Sequence, residues 1–295
     1  MHVVVAGSSG YMGQELTRRL RASGHDVLRL VRRPPAAADE RQWDPALGIL
    51  DQEVVDEADV VVNLCGSRLL GIPYNPGYYR KLRASRVPPT RVLAEAVARS
   101  ANPAALIVAC GSSAYGDHGD SPVTEESELR GTEPLARLVR DWEAAASPAQ
   151  DAGARVCTMR TAPVISPGSE TTNVLVPLFR LGLGVRLSSG HQYFPVVSQR
   201  DRVAAATFLI ESTSASGPFN VCCPVTPTNA EFTDALGAAL GRRARLAAPA
   251  PILRLGAGPM AGELLRSMNM RPAALLAEGF EFEDRDVDAV MAQLV

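Results

Sequence analysis

A chain of 295 residues, 46% of them hydrophobic, is long enough to bury a large core as one α/β unit or as a main domain with a smaller lobe. Its 30 basic and 32 acidic side chains leave a formal charge of -2, so no global field draws it to nucleic acid or to an anionic membrane, and a small-molecule partner fits better. The five cysteines (Cys65, Cys110, Cys157, Cys222 and Cys223) show no C-x-x-C spacing and the four histidines are scattered, so reduced thiols and no metal site are expected.

The N-terminal MHVVVAGSSG carries an apolar run broken at once by glycine and serine, too short for a signal segment or a membrane span, so a cytoplasmic protein is expected. VVVA (3 to 6) predicts a strand. QELTRRLRASG, after a Gly-rich turn, predicts a helix with Leu16 and Leu20 four apart and Gly24 as its stop. The alternation continues through HDVLRLV, ADVVVNLCG, the helical RVLAEAVARS, AALIVACGSS, a helix at 132 to 146, and RVCTMRTAPVI. Continuous apolar strands separated by helices predict an α/β fold with a Rossmann-like, doubly wound parallel sheet covered on both faces. After residue 167 the pattern changes to the Pro/Gly-punctuated VPLFRLGLGVRL and HQYFPVVSQRD, a short helix in NAEFTDALGAAL and a final GFEFE strand. AAPAPILRL and MNMRPAALL read as loops leading into helices. The expectation is a Rossmann domain over 1 to 167, to which a strand and helix at about 191 to 222 return. A smaller α+β lobe is formed mostly by 168 to 295.

Gly7, Ser8, Ser9, Gly10, Tyr11, Met12 and Gly13 form a G-x-x-G-x-x-G turn between a predicted strand and helix. Gly7 permits the turn, Gly10 lets the backbone approach a pyrophosphate, and Gly13 lets helix and strand pack closely. The bland reading is a structural tight turn. An NAD site expects an acid about 20 residues on, to hold the ribose hydroxyls. Here the second strand runs into Arg32 and Arg33, whose forked donors suit the 2′-phosphate of NADP. Two solvated loop arginines are the alternative.

The chain resembles the extended, epimerase-like branch of the short-chain dehydrogenase/reductase superfamily, and more closely its atypical NAD-dependent-epimerase-like subgroup with a distinctive C-terminal domain. The resemblance rests on VVVAGSSGYMGQELTRRLRASGH, VVNLCG, YYRKLRASRVPPTRVL, the W-E pair of RDWEAAA, GPFNVCCPVTPTNAEF and RPAALLAEGFEFED, and spans nearly the whole chain. Extended members use a Y-x-x-x-K pair, the tyrosine as acid/base and the lysine lowering its pKa. Aligning Glu143 with the glutamate that follows that motif puts Leu135 at the tyrosine position and Val139 at the lysine position. Lys81 is the only lysine, and residue 77, where its tyrosine would stand, is glycine. Leu135, Leu138, Val139 and Trp142 make an i, i+3, i+4, i+7 stripe, so this helix face is expected in the core.

The resemblance implies cofactor contacts from Leu64, Cys65 and Gly66 under the adenosine and pyrophosphate, and from Thr161, Ala162 and Pro163 near the nicotinamide. VACGSSAYGDHGD matches the family's S-S-A-x-V-Y-G segment, with Cys110 and Gly111 where hydroxyls are usual. Ser112, Ser113 and Tyr115 are then candidates for the missing proton donor, though tyrosine also serves as a shaping residue there. Asp117 and His118 read as a turn before a catalytic pair. Lys81 reads as a solvated helix lysine, or as a second candidate. GHQYFPVVSQRD departs from the family's G-x-Q-x-x-x-W-I-H-x-x-D at Val196 and Ser198, leaving Gln192 and Tyr193 as substrate contacts or as packed lobe interface. The resulting expectation is an NADP(H)-dependent oxidoreductase or isomerase acting on a small carbonyl or polyol-like compound, in bacterial secondary metabolism. A cyclase or epimerase with NADP as structural or transient partner, and a non-enzymatic NADP(H) sensor, are the alternatives. The oligomeric state stays open, a homodimer included.

Overall fold

The computed structural model describes residues 1–69, 75–244 and 246–294. Its strands are β1 (His2–Ala6), β2 (Asp26–Val31), β3 (Glu40–Gln42), β4 (Val60–Asn63), β5 (Ala105–Gly111), β6 (Pro122–Val123), β7 (Val156–Thr161), β8 (Val164–Ile165), β9 (Val185–Leu187), β10 (Val197–Ser198), β11 (Gly217–Val221), β12 (Leu246–Ala248) and β13 (Asn269–Met270). Its α-helices are α1 (Tyr11–Ala22), α2 (Gln52–Asp56), α3 (Pro76–Ala84), α4 (Val87–Arg99), α5 (Pro134–Ala144), α6 (Ser147–Asp151), α7 (Glu170–Arg180), α8 (Gln199–Glu211), α9 (Asn229–Ala239), α10 (Ala250–Ala257), α11 (Ala261–Leu265), α12 (Ala273–Ala277) and α13 (Val287–Met291). Seven strands join in the order β11-β7-β5-β4-β1-β2-β3, every pair parallel.

A strand exposes alternate residues to opposite faces, and a parallel sheet must cover both. Val3 and Val5 of β1 therefore enter one core with Leu16 and Leu20 of α1 and Val203, Leu209 and Ile210 of α8. Val4 and Ala6 enter the other, with Leu93 and Val97 of α4, Trp142 of α5 and Ala149 of α6. The apolar runs of the sequence are thus strands buried on two sides. Beyond residue 167, α8 and β11 lie on and in this sheet, β10 pairs back with β8, and β9 pairs with β12. Phe179, Val196, Phe232, Leu236, Val290 and Met291 close a third core in the C-terminal part. β13 pairs with β6, tying the C-terminal segment back to the first half. Among the described residues no helix is long and apolar enough to cross a membrane.

Two expectations need correction. The helix expected at 132 to 146 is the shorter α5, started by Pro134 at its first turn. GFEFE is not a strand. Phe280 and Phe282 are buried against each other edge to face, but the backbone N–H groups of Glu283 and Asp284 donate to the Asp201 carboxylate at 3.0 and 2.8 Å instead of to a strand.

The α5 stripe is buried, with Leu135, Leu138, Val139 and Trp142 all under 9% exposed. Leu135 and Leu138 pack with Leu82 of α3 and against Met260. Leu135→Ala is expected to lower stability by about 2–5 kcal/mol through the cavity it leaves, with dinucleotide affinity unchanged. Denaturant titration beside a cofactor titration checks both.

Candidate functional site

All seven strands run the same way, so their carboxyl ends form one edge, where ligands of such sheets bind. At its centre Gly7 sits at φ 85, and a Cβ there would lie 2.8 Å from the Leu64 carbonyl carbon. A Cβ on Gly13 would lie 2.3 Å from the Gly7 oxygen. Both positions require glycine. Gly10 is the N-cap of α1 and offers no side-chain cap, and no acid stands in the first turn, so the helix N-terminus is left for an anion. Ser8, Met12 and Gly13 are buried, while Ser9 and Tyr11 are exposed, the Tyr11 hydroxyl donating to Pro167 O at 2.8 Å. These features fit a dinucleotide pyrophosphate.

Leu64, Cys65 and Gly66 follow β4; Leu64 and Cys65 abut this turn, and Gly66 faces the Arg86 guanidinium. Asn63 shapes them: its Oδ1 accepts from Cys65 N at 3.0 Å and its Nδ2 donates to Thr90 at 2.8 Å. Burial pushes the Cys65 thiol up to about 12, against the opposing field of Arg32, so it is a packing group and not a nucleophile. The same field places Arg32 beside the loop after β4. Arg32 is exposed and makes no hydrogen bond or ion pair among the described residues.

Arg33 differs. Its guanidinium donates to both oxygens of Glu40 at 2.7 Å, and Glu40 also accepts from Ala36 N at 2.8 Å. The acid absent from the end of β2 is supplied by β3, but it is buried and spent on Arg33. The Arg33 hydrogen bond and the Ala36 N–H hold the Glu40 carboxyl down to about 2. Asp39, held by Arg29 and Arg21, is likewise held down to about 2. Only Arg32 of the pair is free to meet a phosphate.

On the other side of the edge, Gly111 at the end of β5 pairs with Thr161 of β7, and Thr161, Ala162 and Pro163 follow beside it. A Cβ on Gly111 would lie 3.6 Å from Cγ2 of Val139. The end of β5 and the α5 stripe are thus in apolar contact there. Tyr115 is fully buried. Its hydroxyl donates to Asn220 Oδ1 at 2.8 Å and accepts from Arg160 Nη1 at 2.9 Å. Arg160 is in turn held by both oxygens of Glu143 at 2.8 Å. Burial raises the Tyr115 hydroxyl to about 12, despite Arg160. The Tyr115 hydroxyl thus closes an interior network between β7 and β11.

Ser112 and Ser113 are also buried, the latter donating to Glu263 Oε2 at 2.9 Å. Lys81 is exposed on α3, with no hydrogen bond or ion pair among the described residues, which fits a solvated lysine. Asp117 accepts from Gly119 N at 2.9 Å and His118 meets Glu128 O at 3.1 Å, as a turn requires. The Gln192 amide donates to Leu187 O at 2.9 Å and so packs the lobe. Tyr193 is half-buried, its backbone bonded to Ser267 and Met268. Among the described residues no group of His, Cys, Asp and Glu is placed to hold a metal ion.

Residues 3–222 match the NAD dependent epimerase/dehydratase family. The chain belongs to that family. Residues 248–294 match a domain of unknown function, DUF1731. Epimerase family protein Mb2239 of Mycobacterium bovis is 43% identical over 97% of this chain and 94% of its own length. Epimerase family protein SDR39U1 of Homo sapiens is 31% identical over the full length of both. The crystal structure of human SDR39U1 (isoform2) with NADPH superimposes with a TM-score of 0.88 over 99% of this chain and 98% of that one. Glu263 and Arg266, which lie in the C-terminal domain, had no signal in the sequence that marks them, and Asn220 stood only within the GPFNVCC segment.

The buried Glu40 makes a pH test. A carboxylate depressed to about 2 stabilises the fold above its unfolded value of about 4.3, and this contribution is lost as pH falls through about 2. Arg33→Ala is expected to raise the Glu40 pKa and move the acid-unfolding midpoint to higher pH, while Arg32→Ala leaves it in place. Circular dichroism against pH measures it.

Proposed function

We propose that this protein is an NADP(H)-dependent oxidoreductase or isomerase of a small carbonyl or polyol-like compound, working without the Tyr-x-x-x-Lys pair. The observation that carries the cofactor choice is the free Arg32 guanidinium beside the Gly7-Gly10-Gly13 turn, next to an arginine whose charge is already spent. NADPH in the human relative's crystal structure supports it. In this reading Gly10, Tyr11 and Met12 receive the pyrophosphate, Arg32 the 2′-phosphate, and Thr161 to Pro163 flank the nicotinamide. When bound, the cofactor supplies or takes a hydride. The chain's own part is to orient the reacting carbon and to move the accompanying proton, since the α5 face that does so elsewhere is apolar here.

A second reading, an NADP(H)-sensing module that docks to another protein, is favoured by one observation: Leu181, Leu183, Leu246, Ile252 and Leu255 are exposed apolar side chains. C4-deuterated NADPH separates the two. Label found by mass spectrometry in a reduced product supports the enzyme, and its absence from every product of a broad carbonyl panel, with cofactor bound, favours the sensor.

Arg32→Ala is expected to weaken NADPH binding about 10- to 150-fold, the loss of about 1.5–3 kcal/mol of charge-assisted hydrogen bonding, while NADH binding is unchanged. Calorimetric titration of both cofactors reads this directly. Equal wild-type affinities for NADPH and NADH would reject the NADP assignment.

A further inference from the structure

The C-terminal domain meets the turn after β5 and the start of α5. Met260 packs against Leu135 and Leu138 on α5. Gly262 lies where a Cβ would be 2.9 Å from the Glu133 side chain, so α11 rests on the start of α5. The next residue, Glu263, has a side chain only 9% exposed. Its Oε2 accepts from Ser113 Oγ at 2.9 Å and is ion-paired with Arg266 Nη1 at 2.6 Å. Its Oε1 is buried and has no hydrogen-bond partner. Four residues on, Ser267 Oγ accepts from Tyr193 N at 3.0 Å and donates to Gly119 O at 2.7 Å. The segment therefore lies across the turn after β5, against Leu135 of α5, and between Tyr193 and Gly119.

A buried carboxylate oxygen without a donor is costly and calls for an explanation. A latch between the lobes needs only Oε2. We propose that Glu263 is the proton-transfer residue of this site, anchored through Oε2 by Ser113 and Arg266 and using its free Oε1 on the oxygen of a bound carbonyl or secondary alcohol. The assignment rests on the dinucleotide-dependent function proposed above. The Ser113 hydroxyl and the Arg266 ion pair on Oε2 leave Oε1 as the oxygen that carries the proton. In the reductive direction the carbonyl carbon gains the hydride, its oxygen takes the π electron pair and the proton from Oε1, and Glu263 is reprotonated from water. The product is the alcohol and the oxidised cofactor. In the oxidative direction the carboxylate takes the hydroxyl proton while the carbon gives up its hydride.

The charged groups around Glu263 are Arg266, which follows α11, and Glu133 at the start of α5. Burial raises the Glu263 carboxyl above its ordinary value and Glu133 adds to this, while Arg266 and the Ser113 hydroxyl oppose it. The test needs only the two cofactor forms. The protonated-carboxyl infrared band of Glu263 is identified by its loss in Glu263→Gln, or by its displacement in Glu263→Asp should the first variant not fold. The band is then titrated against pH in wild-type protein saturated with NADP⁺ or NADPH. A positive nicotinamide ring within about 4–6 Å lowers a carboxyl pKa by about 1–3, so the midpoint with NADP⁺ is expected at least about one pH unit below that with NADPH. Equal midpoints with both cofactors bound would reduce Glu263 to a latch and overturn the assignment alone. Failure of either cofactor to bind would overturn the cofactor reading and this assignment with it.

Discussion

A guanidinium taken out of water has to be matched, and Arg160 is matched by several elements at once. It leaves β7, binds both oxygens of Glu143 on α5, and donates to the Tyr115 hydroxyl, which donates to Asn220 on β11. Losing any one partner strands a buried charge or a buried hydroxyl. The orientation of α5 follows from this clamp. With Glu143 drawn toward β7, the stripe one and two turns earlier faces the sheet and the loop after β5, and Val139 comes to rest on Gly111.

That contact is apolar on both sides. A lysine at 139 would need a polar neighbour, and a hydroxyl at 111 would need a proton partner. Isopropyl and hydrogen at these positions make a packed contact that needs neither. The dinucleotide cradle stands apart from this contact, because it is made of backbone on β1, α1 and the loop after β4. The C-terminal domain is the element that arrives beside α5, with Gly262 against Glu133.

Legibility in the sequence followed the range of the interaction. Gly7 and Gly13 were legible because a left-handed φ and a close backbone approach demand glycine whatever the distant chain does. The strands were legible because β4 and β5 are apolar on both faces. The commitment of Arg33 was not, since its partner Glu40 lies seven residues on and in a neighbouring strand. Tyr115 looked available because its partners Arg160 and Asn220 are 45 and 105 residues away. Ser113 and Glu263 are separated by 150 residues, beyond anything local pattern reports. GFEFE has the alternation of a strand, yet the following backbone donors are captured by Asp201 on α8, a competitor that alternation alone does not reveal.

A crystal structure with NADPH bound tests most directly whether the old cradle now works with a new proton site. We expect the 2′-phosphate on Arg32, the pyrophosphate on the N-terminus of α1, and the nicotinamide ring between Thr161 to Pro163 and the Ser113–Glu263 pair, with room for a small substrate against its C4. A nicotinamide turned away from Ser113 and Glu263, or a 2′-phosphate left in solvent, would contradict it.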